Sequence, residues 1–103
     1  DDQAVAVETE HGTVLICGGC HAGLRNTIAH VEAVTDDTVR AVIGGTHLGG
    51  REPDEIHEIA DWLGDRLDLL APTHCSGVVA ERILASRFPE AYTYVGVGSV
   101  IDW

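Results

Sequence analysis

The sequence contains no lysine and no methionine, and its six basic residues, all arginine, face 17 Asp and Glu for a formal net charge of -11. A surface of that sign repels nucleic-acid backbones and anionic lipid, because both are held through clustered basic side chains that release counterions or pair with headgroups. No nucleic acid and no membrane partner is therefore expected. An acidic, lysine-free surface fits a halophilic protein, one working in concentrated salt where screening shortens the reach of self-repulsion; it predicts unfolding midpoints that rise with KCl. Ordinary acidic composition in a short chain is the plain alternative.

Long apolar runs are absent as well. None approaches the roughly 20 residues of a membrane span, and the acidic Asp1-Asp2 start is unlike the basic opening of a signal peptide, so the expected location is cytoplasmic. The three cysteines, Cys17, Cys20 and Cys75, are an odd number without secretory context, which argues against a disulfide framework. The missing initiator Met leaves two readings, removal or a chain excerpted from a longer protein. What is present is ordinary for a globular protein: 45% hydrophobic and 22% charged residues over 103 positions, the size of a single domain, 1-103.

Gln3 to Glu8 alternates small apolar and polar side chains, and Glu10-His11-Gly12 reads as a turn into Thr13-Val14-Leu15-Ile16, an initial hairpin. After it, apolar strands alternate with amphipathic helices. Leu24, Ile28 and Val31 form one helical stripe. Ile56, Ala60 and Leu63 form a second, with Pro53 at its first position, and Val79, Ile83 and Leu84 a third. The intervening strands are Val39 to Ile43, Asp68 to Ala71 and Tyr92 to Val95, with a last short strand over Ser99 to Trp103 after the Gly96-Val97-Gly98 bend. Short-connected strand-helix-strand repeats imply right-handed crossovers, so the fold class is α/β: a hairpin followed by βαβαβαβ with a mostly parallel sheet.

Three strands end alike, in Gly18-Gly19-Cys20-His21, Gly44-Gly45-Thr46-His47 and Pro72-Thr73-His74, with the histidines 26 and 27 positions apart (47 less 21, 74 less 47). Parallel strands deliver their carboxyl ends to one sheet edge, where open α/β sheets bind ligands. Glycine pairs there let the backbone turn without a Cβ in the way. His21, His47 and His74 are thus expected to meet as metal ligands. Imidazoles suit zinc and other divalent metals, and three protein donors with an open position are the arrangement of a hydrolytic centre. His11, His30 and His57 lack that placement and read as structural or solvated.

Other chemistry is open at the same residues. Cys17-Gly18-Gly19-Cys20-His21 matches the C-x-x-C-H pattern of covalent haem attachment, and the same pair could act as a redox dithiol. Cys17, Cys20, His74 and Cys75 could close a structural zinc site. Ser76-Gly77, before the third helix, could cap it or offer amides to an anionic substrate group.

Five segments in order, Asp1-Asp2-Gln3-Ala4, Gly18-Gly19-Cys20-His21-Ala22-Gly23, Ile43-Gly44-Gly45-Thr46-His47-Leu48, Pro72-Thr73-His74-Cys75-Ser76-Gly77 and Val95-Gly96-Val97-Gly98-Ser99, together resemble one group of proteins. It is the dihydropterin-phosphate-synthase-like branch of the metallo-β-lactamase superfamily, whose members carry Gly-Cys-Ser-His-Ala-Gly, Gly-Gly-Phe-His-Leu and His-Cys-Thr-Gly in this order. The resemblance spans nearly the whole chain. It implies an αββα sandwich with one or two metal ions at its edge and metal-dependent hydrolysis or transfer on a phosphorylated small molecule. His21 and His74 fall on ligand positions and His47 on a site position. Gly19 stands where the family has its Cys, Cys20 in the small-residue position, and Thr46 where it has Phe. The superfamily's His-x-His-x-Asp-His run is absent. The resemblance therefore implies the carboxyl-terminal half of such a fold, with a partial site and no activity alone. Half a sandwich leaves one sheet face open, to be covered by the missing amino-terminal half or by a homodimer partner. The rival readings are a non-catalytic α/β interaction module and a redox or haem module built on Cys17, Cys20 and His21.

Overall fold

A computed structural model of the chain describes residues 2-103; Asp1, the first residue of the opening resemblance segment, lies outside them. Strands β1 (Ala4–Thr9) and β2 (Gly12–Cys17) form the antiparallel hairpin, with Val5 opposite Ile16 and Val7 opposite Val14. Strands β3 (Val39–Gly45) and β4 (Leu69–Thr73) extend the sheet in parallel, in the order β1-β2-β3-β4. Helices α1 (Leu24–Thr35) and α2 (Pro53–Leu63) make the crossovers. A 3-10 turn (His74–Ser76) leads into α3 (Val78–Arg87).

Strand alternation decides which side carries the core. Leu15, Val42 and Leu70 lie side by side in register and are fully buried, and they pack with Leu24 and Ile28 of α1, Ile56 and Leu63 of α2, and Leu84 of α3. Because β2, β3 and β4 are consecutive in the sheet, right-handed crossovers place α1 and α2 on the same side. The alternate residues point the other way. There Val5, Val7 and Ile16 remain 56%, 44% and 43% exposed, while Val14, Ala41 and Ala71 on the same side are buried.

Local chemistry sets the helix ends. Pro53 stands at the first turn of α2 as expected, followed by Asp54 and Glu55 at the positive end of the helix dipole, and Gly64 ends it. In α1 the left-handed Asp36 closes the helix. Glu32 of α1 then ties three elements together: one carboxylate oxygen accepts the Val39 N–H at 3.0 Å and the other pairs with Arg66 at 3.1 Å.

Two expectations need correction. Tyr92 to Val95 and Ser99 to Trp103 are not strands: only Tyr92 bridges to Leu70, with Leu70 N–H donating to Ala91 O and Thr93 N–H to Leu70 O. The chain then leaves the β4 edge, and its end returns to the β1-β2 turn, where the Trp103 indole donates to Thr9 Oγ1 at 2.8 Å. In α3 the buried positions are Ala80 and Leu84, four apart, while Val79 is exposed. Val79 is apolar, but one helical turn separates Ala80, not Val79, from Leu84, so Ala80 faces the core.

Candidate functional site

The carboxyl ends of β2, β3 and β4 are brought together by residues that cannot carry a side chain. Gly44, at φ +112°, has its Cα so close to β2 that an added Cβ would lie 2.1 Å from Cys17 O; at Gly45 it would lie 2.5 Å from Gly18 O. Gly18 N–H donates to Gln3 O at 2.9 Å, which draws the start of the chain to the same edge. Just beyond these contacts the backbone turns through the left-handed region at Cys20 (φ 49°), His47 (φ 56°) and His74 (φ 56°), once after each parallel strand. Side-chain-bearing residues hold that conformation at a cost of about 1-2 kcal/mol, and such positions gather at functional sites.

A buried polar bridge fixes β3 to β4 at this edge. Ser76 Oγ accepts the Thr46 N–H at 3.2 Å and the Thr46 hydroxyl at 2.7 Å, and donates to Thr73 O at 2.7 Å. The bridge holds the residues flanking His47 and His74. It also uses the hydroxyl of Ser76 fully, and Ser76 is itself buried, so that hydroxyl faces no solvent. Gly77 is the N-cap of α3, and a Cβ there would meet Gly49 Cα at 2.9 Å. Cys75 closes the third side, its thiol against Gly19 O at 3.5 Å and its carbonyl accepting the Gly49 N–H at 2.9 Å.

His21 is the centre of the arrangement. Its ring lies against that of His47, with centroids 4.8 Å apart and planes inclined by 55°. It also shares with His74 and Asp2 an open cleft of about 350 Å3. Asp2 Oδ2 accepts the His21 N–H at 2.8 Å. The ring folds back over Gly19, where a Cβ would meet Nε2 at 2.9 Å, so a side chain at the position where the resembling family has Cys would displace it. Among the described residues, no three His, Cys, Asp or Glu side chains converge closely enough to hold a metal ion. The three histidines thus gather as two pairings that share His21, and not as a closed triad. Asp2 was not singled out from the sequence. The signal that finds it is the hairpin register, since Ala4 opposite Cys17 sets the residues before β1 beside those after β2.

The cysteines take a structural role. Cys17 and Cys20 are 5% and 2% exposed and belong to the core between sheet and helices. The neighbouring Cys20 thiol, reinforced by burial, pushes the Cys17 pKa up, while that of Cys20 is lowered by Cys17 against the effect of burial, with help from Thr27. Thiols so enclosed are poorly placed for thioether links to a haem. His74 is exposed while Cys17 and Cys20 are core residues, which does not favour the four-residue zinc site. The remaining histidines lie elsewhere. His57 Nδ1 sits 3.0 Å from the Arg87 guanidinium, His11 contacts Trp103 edge-on, and His30 is exposed on α1.

Strain at His47 and His74 predicts a trade between stability and function. His47→Gly and His74→Gly should each be about 1 kcal/mol more stable than the matching alanine variants, since glycine relieves the left-handed strain alanine retains. Urea unfolding of the four variants checks this. Equal midpoints within each pair would mean that neither backbone is strained.

A four-strand mixed sheet with three helices on it, and histidines at the ends of its parallel strands, is consistent with a β-lactamase-like fold. No protein-family model matches the sequence, and no curated protein does. Among solved structures, the chain is similar to Tm1679, a metal-dependent hydrolase of the beta-lactamase superfamily, with a TM-score of 0.89 and 26% identity. The likeness covers 98% of this chain and 40% of Tm1679, so the chain spans about two-fifths of that protein.

Proposed function

We propose that this chain is the carboxyl-terminal portion of a metal-dependent hydrolase or transferase of the dihydropterin-phosphate-synthase-like kind, acting on a phosphorylated small molecule and inactive alone. The observation that carries the reading is the position of His21, in ring contact with His47 and in one cleft with His74 and Asp2, at the sheet edge where parallel α/β layers bind ligands. The likeness to a metal-dependent hydrolase supports it. Among the described residues no three donors fit a metal ion, so the chain alone offers zinc only a partial foothold at His21 and His74. In this reading His21 and His74 are two ligands of a zinc or similar divalent site, His47 a weaker third, and the remaining donors come from outside residues 1-103. When bound, such an ion supplies Lewis acidity and an activated water. The chain's own part is to hold the imidazoles: Asp2 orients the His21 backbone, and the Thr46-Ser76-Thr73 bridge fixes the backbone beside His47 and His74.

The covering partner is then a missing amino-terminal half or a second copy, seated on Val5, Val7 and Ile16. No helix among the described residues is long and apolar enough to cross a membrane. The acidic charge is what favours a cytoplasmic setting without nucleic acid or membrane partners.

Zinc titrated into the isotopically labelled chain tests the reading through its six imidazoles. His21 and His74 should shift together and His47 less, with His11, His30 and His57 unmoved, and His21→Ala should remove the response of the others. Uniform shifts at all six, or none, would sink it.

A further inference from the structure

The hydrolase reading leaves a second cavity without a role. It measures about 280 Å3 and lies between the first turn of α1 and the loop after β3, with Arg25, Asn26 and Arg51 as its polar wall and Leu48 and Ile59 as its apolar one. No Asp or Glu lines it, in a chain with 17 of them. Two of the six arginines do. Arg25 forms no ion pair among the described residues. Arg51 is held at the rim by Glu55 at 3.2 Å and by His47 O at 3.5 Å. The first turn of α1 carries no acidic residue, and its Gly23 N-cap has no side chain to bond the free amides.

We propose that this cavity binds the phosphate group of a small-molecule phosphate monoester, with Arg25 and Arg51 as its two guanidinium partners. A planar guanidinium binds phosphate oxygens through paired N–H donors; Arg25 is free of an ion pair among the described residues, and at Arg51 the phosphate would take the place of the Glu55 carboxylate. The location argues for a handle on the substrate of the neighbouring site. Ala22 and Thr46 wall the cavity, while the adjoining His21 and His47 carry the paired imidazoles. A cavity of this size is just below the range of small-molecule pockets, so it takes the phosphate end and the rest of the ligand extends toward the histidine cleft. The inference rests on the hydrolase reading for the direction of that extension, and on the arginines alone for the anion.

Inorganic phosphate and phenyl phosphate, titrated calorimetrically at low ionic strength, test it on the chain and on Arg25→Gln, Arg51→Gln and Arg82→Gln. The first two variants should weaken both ligands about tenfold each, as expected for loss of a charge-assisted pair, while Arg82→Gln on α3 leaves them unchanged. Changes below about twofold at Arg25 and Arg51, or an equal loss at Arg82, would overturn the proposal, because the anion would then be held by diffuse charge. The zinc titration keeps the two readings apart. Phosphate held through Arg25 and Arg51 with imidazoles indifferent to zinc removes the hydrolase and leaves the anion site; the reverse removes the anion site alone.

Discussion

Gly44→Ala is expected to cost about 4 kcal/mol or more, enough to leave little folded chain, because it combines a backbone clash with an unfavourable dihedral. The added Cβ would sit 2.1 Å from Cys17 O, and that carbonyl belongs to the neighbouring strand, so it cannot swing away as a flexible side chain could. The φ of +112° adds strain of its own. Gly45→Ala should act in the same direction, with Gly18 O at 2.5 Å. Gly96→Ala is the internal control: nothing lies within 4 Å of its added Cβ, and it should fall within about 0.5 kcal/mol of the parent. Urea unfolding followed by circular dichroism reads all three. A Gly44→Ala variant as stable as Gly96→Ala would mean that β2 and β3 do not approach as described, and the placement of His21 beside His47 would go with it.

The glycine pairs were legible as places where backbone must come close, and so were the strand-end histidines, because both follow from chain direction and a repeat of one βαβ unit. The contacts of their rings were not. At His47 and His74 the chain turns left-handed, and a sequence does not show which residue after a strand takes that turn unless it is glycine or asparagine. Ser76 illustrates the same limit: a serine before a helix reads as a cap, whereas here Thr46, thirty positions away, claims its hydroxyl. Cys17-x-x-Cys20 read as possible redox or haem chemistry, but β2 continues to Cys17 and delivers the pair into the core. Tyr92 to Val95 has strand composition, yet the edge position beside β4 gives it one bridge and no second neighbour.

The uncovered sheet face carries the other large expected effect. Val5, Val7 and Ile16 form an apolar patch, since Val5 and Ile16 are opposite one another and Val7 lies two residues along on the same side. The charge of -11 opposes pairing of two copies, and salt screens that charge within about 10 Å at 0.1 M and about 3 Å at 1 M. Sedimentation of the isolated chain should therefore show monomer at low ionic strength and a dimer that grows with protein concentration and with KCl, while the unfolding midpoint rises over the same range. Ile16→Lys should weaken the dimer at least about tenfold, because a charge at the centre of an apolar contact must be desolvated, and should leave the monomer's stability within about 0.5 kcal/mol, because Ile16 is already 43% exposed. In a longer polypeptide whose second layer covers this face, the same substitution would bury the charge without a partner and cost several kcal/mol. The two results distinguish a homodimer from a missing half. A chain that stays monomeric in 2 M KCl at millimolar concentration would mean that this patch does not pair two copies, since Val5, Val7 and Ile16 stay exposed with the segment from Thr93 to Trp103 already in place.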